Sequence, residues 1–127
     1  MRALVIDDSR AMRHIVADIL GGLGFATVQA GNGREALDLL EAGERFDVAC
    51  IDWNMPVTNG LEFLTAVRAR SEWRDLTLIM VTTEGEVGQI VRALAAGAHE
   101  YVIKPFTPDA IASKLELLGL LRVRETT

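Results

Sequence analysis

Apolar residues fall along this chain in two alternating rhythms, short continuous runs and longer stretches in which they recur at helical spacing. The first run, Ala3-Leu4-Val5-Ile6, predicts a strand. Met12, Ile15, Val16, Ile19 and Leu20 then mark one face of a helix, which Gly21-Gly22 and Gly24 end. Phe25 to Ala30 alternates weakly and predicts a second, more peripheral strand. Asn32 with Glu35 has the spacing of a capping box and opens a helix through Leu37 and Leu40 to Gly43. The third strand is predicted from Phe46 to Asp52, and its run Val48-Ala49-Cys50-Ile51 is of the kind buried on both faces. Asn59 and Glu62 repeat the cap spacing, and Leu61, Leu64 and Val67 supply the stripe of a third helix ending near Arg70-Ser71, with Trp73 in the following connection.

The fourth strand, Leu76 to Val81, ends at Thr82-Thr83. Val87, Ile90, Val91 and Leu94 give helix four its apolar stripe, where Gly88 costs about 1 kcal/mol relative to Ala and predicts a pliable helix. Gly97 stops it, Tyr101-Val102-Ile103 is the fifth strand, and Lys104-Pro105 closes that strand. Thr107-Pro108-Asp109 combines a hydroxyl cap, a proline and a first-turn acid, and Ile111, Leu115 and Leu118 bury the fifth helix. Five strand-helix pairs predict an α/β fold, a five-stranded parallel sheet with helices on both faces. With no linker or internal repeat, residues 1–127 read as one domain.

Composition narrows the functional classes. Thirteen Lys and Arg against 18 Asp and Glu give a net charge of −5, which disfavours nucleic acid and anionic membrane as partners. The amino-terminal apolar run is too short for a signal peptide and no run reaches membrane-spanning length. The single cysteine, Cys50, cannot form an internal disulfide, so a soluble, monomeric cytoplasmic protein is expected.

Right-handed crossovers would bring the carboxyl ends of strands one, three, four and five to one edge, the usual ligand-binding edge of such sheets. That edge collects Asp7, Asp8, Asp52, Thr82 and Lys104. Three carboxylates repel at about 4 kcal/mol per pair at 4 Å and an effective dielectric of 20. Lys104 leaves a formal excess of two negative charges, which predicts a divalent cation; an all-oxygen donor set suits Mg²⁺ or Mn²⁺ and not zinc. A carboxylate beside such a cation, with a lysine and a hydroxyl converging on it, is a good receiver for a phosphoryl group. Asp52 is the candidate acceptor.

The motifs together resemble the receiver domain of bacterial two-component response regulators, and within it the stand-alone chemotaxis regulators. They are Asp7-Asp8, Asp52-Trp53-Asn54-Met55-Pro56 with Gly60, Thr82, and Tyr101-Val102-Ile103-Lys104-Pro105-Phe106, in family order and spacing over essentially the whole chain. The resemblance implies a flavodoxin-like (βα)5 fold with strand order 2-1-3-4-5 and no attached output domain. It implies that Asp52 takes a phosphoryl group from a histidine kinase, and that Asp8, Asp52 and the Asn54 backbone carbonyl bind Mg²⁺ directly, with Asp7 acting through water. It makes Lys104 and Thr82 phosphoryl contacts, Thr82 and Tyr101 the switch pair, Asn54 and Glu84 tuners of hydrolysis, and the bond before Pro105 cis. The signal would leave through helix four, strand five and helix five to a downstream protein such as the flagellar switch.

Helix four departs from the chemotaxis members, carrying Glu86, Val87, Gly88 and Gln89 where they carry lysines, so the resemblance implies phosphorylation more directly than it implies a flagellar target. A phosphorelay shuttle or a phosphate sink is the alternative. An aspartyl-nucleophile phosphatase fits less well, because that class wants an acid two residues after the nucleophile and this chain has Asn54. A flavodoxin-type cofactor binder is disfavoured, since Asp7-Asp8-Ser9 would repel a phosphate. By itself an acidic pair before Ser9 is a turn and cap, and Lys-Pro a turn; only the joint pattern points to function. Tyr101 by itself would be a sheet-edge aromatic, Trp53 reads as a loop side chain flanking the site, and His14 and His99 lack ligand partners.

Overall fold

The computed structural model describes residues 1–53, 59–83, 87–104 and 107–121. The apolar runs form strands β1 (Arg2–Ile6), β2 (Ala26–Ala30), β3 (Val48–Asp52), β4 (Thr77–Thr83) and β5 (Glu100–Lys104). They alternate with helices α1 (Arg10–Gly22), α2 (Gly33–Glu41), α3 (Gly60–Arg68), α4 (Val87–Ala96) and α5 (Pro108–Leu117). Neighbouring strands all pair in parallel in the order β2-β1-β3-β4-β5, as the resemblance implied. Asn54, Glu84, Glu86 and Pro105 lie outside the described residues.

Successive strand side chains point to opposite faces, so each apolar run feeds two cores. Leu4, Ile6, Ile51, Leu78 and Met80 pack with Leu37 and Leu40 of α2, Phe63, Leu64 and Val67 of α3 and Ala93 of α4. Val5, Val48, Cys50, Ile79 and Val81 pack with Val16, Ala17 and Leu20 of α1 and Ile111 and Leu115 of α5. Covering both faces explains why the inner strands read as continuous apolar runs, each fully buried aliphatic contributing about 2 kcal/mol. Edge strand β2 is only partly buried, which matches its weak pattern. Burial pushes the Cys50 thiol up to about 12, so it is an inert core side chain.

Several sequence expectations shift. Phe46 lies outside β3, and β4 continues through Thr82 and Thr83 because its ladder to β5 runs to the pair Thr83–Lys104. Asn32 does accept the Glu35 N–H (2.8 Å), but the Glu35 carboxylate accepts from Gly31 (2.6 Å), one residue short of a capping box. Asn59 and Glu62 form the complete box, the Glu62 carboxylate accepting the Asn59 N–H at 3.3 Å. Ile15 is half exposed, and on α4 Val91 and Leu94 are 62% and 41% exposed, so these members of the expected stripes are not buried. The small side chain of Ala93 is buried instead, while Val91 and Leu94 face outward.

Gly88 is exposed, and a Cβ built there meets nothing within 4 Å. Gly88→Ala is therefore expected to raise stability by about 0.5–1 kcal/mol through helix propensity, read as a higher urea midpoint at unchanged slope.

At the amino-terminal edge of the sheet, Arg68 at the end of α3 donates to the carbonyls of Gly97 (3.1 Å), Arg74 (3.2 Å) and Leu76 (2.9 Å). Gly97 has φ of 116°, and a Cβ there would lie 2.7 Å from Arg68 Cγ, so glycine both ends α4 and admits this side chain. His99 Nδ1 accepts the Leu78 N–H (3.1 Å) and sits 3.2 Å from an Arg68 terminal nitrogen. Burial, and secondarily the Arg68 charge, hold this imidazole below its ordinary 6.5. The folded protein thus binds the proton less readily than the unfolded chain. The stability contributed by neutral His99 is complete above pH 6.5 and is lost as pH falls through the lower folded value. His99→Asn is expected to flatten this decline in denaturant titrations run at descending pH.

Candidate functional site

Strand register delivers the candidate residues to one edge. Asp52 ends β3 opposite Val81 of β4, Thr82 follows that pair, and Lys104 ends β5 opposite Thr83. The Trp53 N–H donates to the Val81 carbonyl (3.1 Å), extending the ladder past Asp52. Gly60 donates its N–H to the Trp53 carbonyl (3.1 Å), and a Cβ on it would lie 3.0 Å from both the Asp52 carbonyl oxygen and Trp53 Cα. The N-terminus of α3 thus presses against the backbone carrying Asp52, which only glycine allows. Trp53 directly follows β3 and flanks Asp52, as expected, and its side chain is buried in the core that includes Phe63 and Leu64 of α3.

Asp7 follows β1, and its backbone N–H reaches the Ala30 carbonyl (3.2 Å). Its Oδ1 accepts the Ser9 N–H (2.9 Å), and Ser9 caps α1 by accepting the Met12 N–H (3.2 Å). Carboxylate oxygens of Asp7, Asp8 and Asp52 all lie within 4.8 Å of one another; Asp7 and Asp52 are buried and Asp8 is exposed. Lys104 Nζ stands 3.2 Å from Asp52 Oδ1 and 3.5 Å from Asp7 Oδ2. The structure therefore brings together four of the residues singled out in the sequence. Thr82 is buried beside them at the end of β4.

This cluster fits a hard divalent cation. Ligands at about 2.1 Å from an octahedral ion stand about 3–4 Å apart, so three oxygens within 4.8 Å need only a small inward adjustment. Two of the carboxylates are buried, where their repulsion is least screened, and Lys104 offsets one charge of three. Asp8 is the solvent-exposed member of the three.

Tyr101 lies on β5, partly buried against the same core as α3 and α4. Lys114 Nζ of α5 stands 4.7 Å from its ring centroid and 3.0 Å from Glu100 Oε1. His14 is exposed and His99 lies at the far end of the sheet. Among the described residues the cluster that could hold a metal ion is wholly carboxylate.

One neighbour escaped the sequence reading. Arg13 of α1 donates through Nη1 to the backbone carbonyl of Asp7 (2.8 Å). The available signal was its place one turn past the Ser9 cap, on the side of the helix that faces the acidic loop.

A parallel sheet with an acidic cluster and a lysine at its carboxyl edge defines a phosphoryl-receiver class of protein. The chain belongs to the response regulator receiver domain family, whose model matches residues 3–116. It is 47% identical over 117 residues to a chemotaxis protein CheY homolog of Campylobacter jejuni, covering 91% of this chain and 90% of that one. Similarity to chemotaxis protein CheY1 of Helicobacter pylori is 42% over 119 residues, covering 93% and 96%. The solved structure of chemotaxis response regulator CheY4 of Vibrio cholerae superposes with a TM-score of 0.84 at 36% identity, covering 92% of this chain and 97% of that one. No described helix is long and apolar enough to cross a membrane.

Proposed function

We propose that this protein is a phosphorylation-activated switch in chemotaxis signalling, with Asp52 as its phosphoacceptor. The observation that carries the reading is the convergence of Asp7, Asp8, Asp52 and Lys104 at the sheet edge of a receiver-family chain. A carboxylate oxygen of Asp52 attacks the phosphorus of a kinase phosphohistidine; the new P–O bond forms as the P–N bond breaks, and the imidazole leaves. Hydrolysis later returns the carboxylate and inorganic phosphate. Receiver domains bind Mg²⁺ at an acidic pocket, and here Asp7, Asp8 and Asp52 would hold it, where it offsets charge on the phosphoryl oxygens. The Asn54 carbonyl is a further ligand in this reading. Lys104 orients the acceptor before transfer and holds a phosphoryl oxygen afterwards.

Transfer replaces a carboxylate by a bulkier, more highly charged group. Thr82 donates its hydroxyl to that group, which draws the end of β4 toward it, and Tyr101 turns inward behind it. Alternation along β4 sets Thr82 on the same face as Leu78 and Met80, the face that α3 and α4 cover. Val91 and Leu94 of α4, Ile103 of β5 and Leu117 of α5 are exposed aliphatics on the three elements through which the signal would leave. Asn54 and Glu84 set the rate of hydrolysis. The protein acts as a cytoplasmic switch whose only chemistry is on itself, between a histidine kinase and a downstream protein.

A pull-down with wild-type protein under phosphorylating conditions, against the kinase and flagellar switch components of the source organism, tests the output. Phosphorylation-dependent capture of the switch component is expected. Capture only of a second histidine-phosphorylated protein would instead make the chain a phosphorelay shuttle.

A further inference from the structure

Asp7 is fixed by three hydrogen bonds that leave its Oδ2 toward Lys104. Its N–H donates to Ala30 (3.2 Å), its Oδ1 accepts from Ser9 (2.9 Å), and its backbone carbonyl accepts from Arg13 Nη1 (2.8 Å). That carbonyl belongs to the peptide joining Asp7 to Asp8. Because the peptide is planar, holding its oxygen also sets the direction in which the Asp8 Cα leaves. Asp8 is exposed, so burial does not aim its side chain, yet its carboxylate converges with those of Asp7 and Asp52.

Arg13 is itself seated. A Cβ built on Gly31 would lie 3.5 Å from Arg13 Nη1 and 2.7 Å from Glu35 Oε2, the oxygen that accepts the Gly31 N–H. The guanidinium therefore lies between the loop after β1 and the loop after β2, beside Gly31. Its hydrogen bond is to a backbone oxygen and not to the carboxylates.

We propose that Arg13 is a positioning residue for the cation site, locking the Asp7–Asp8 peptide so that both carboxylates aim at one point. The inference rests on the reading of the acidic cluster as a Mg²⁺ site. It makes a prediction opposite in sign to simple electrostatics. As a mere nearby charge, Arg13 would repel the cation, and its removal would tighten binding. As a positioning residue, its removal loosens binding, as loss of groups that orient metal ligands does.

Calorimetric titration of the whole protein with Mg²⁺, with no phosphodonor present, separates these. Arg13→Met is expected to raise the Mg²⁺ Kd about tenfold, and Arg13→Lys, which keeps a donor and the charge, to recover most of that loss. Phosphorylation of Arg13→Met should return to the wild-type rate at saturating Mg²⁺. Equal or tighter binding by Arg13→Met, or equal losses in both variants, would overturn the proposal. Wild-type protein that binds no Mg²⁺ would overturn the reading of the site beneath it.

Discussion

Acetyl phosphate with Mg²⁺ is expected to add one acid-stable, base-labile phosphoryl group to this protein, and Asp52→Asn to abolish it. An acyl phosphate is labile in base because hydroxide attacks its activated carbonyl, whereas phosphohistidine is lost in acid, so the two treatments identify the linkage. The carboxamide of Asn is nearly isosteric with the carboxylate but offers no anionic nucleophile. Loss of labelling in this variant therefore reports chemistry and not collapse of the site. The fold is expected to survive, because the β3 ladder uses backbone groups and the Gly60 contact is to backbone atoms. Intact-mass spectra before and after base treatment, with a denaturant curve for the variant, provide the check. A phosphoryl group persisting on Asp52→Asn would move the acceptor elsewhere, and the exposed carboxylate of Asp8, in the same cluster, would be the next to replace.

The residues on which this expectation rests were legible in the sequence because a strand buried on both faces leaves an unbroken apolar run. The point where that run meets a polar residue marks the sheet edge. Asp52 after Val48-Ala49-Cys50-Ile51 marks that point on β3, and Lys104 ends the partly buried edge strand β5, whose position brings the two side chains within 3.2 Å. Helix faces were less legible. Periodicity says which residues share a side of a helix but not how far the rest of the fold covers it. Val91 and Leu94 have the spacing of a buried stripe and stay exposed, while Ala93 is buried. The burial of Trp53 was not legible because its polar neighbours look like open loop, and the close approach permitted by Gly60 becomes visible only once α3 is seated. Arg13 carried no signal beyond its position, since a charged residue in the first turns of a helix is ordinarily solvated, and its partner here is a main-chain oxygen.

Lys104→Met carries the second large effect, and its sign depends on the cation. Without metal, Lys104 stands 3.2 and 3.5 Å from two carboxylates whose side chains are 8% and 5% exposed. Methionine keeps the unbranched stem and removes the charge, leaving the three carboxylates to repel without that cation between them. Breaking a buried pair costs about 3–5 kcal/mol; the low end, about 3, applies because Lys104 keeps a fifth of its side chain exposed and water can enter. Mg²⁺ should reverse most of this loss, because an ion at a hundred times its Kd contributes about 2.7 kcal/mol and the variant no longer holds a competing cation. Chemical denaturation with and without Mg²⁺ gives both numbers. Asp52 keeps its nucleophile, so acetyl phosphate still labels the variant, but no charge ties the phosphoryl group to β5. Hydrogen exchange along α4, which should change on phosphorylation of the wild type, is then expected to stay unchanged. Metal-free stability equal to wild type would remove Lys104 from the charge balance of the site, and a wild-type exchange response in α4 would remove it from the switch.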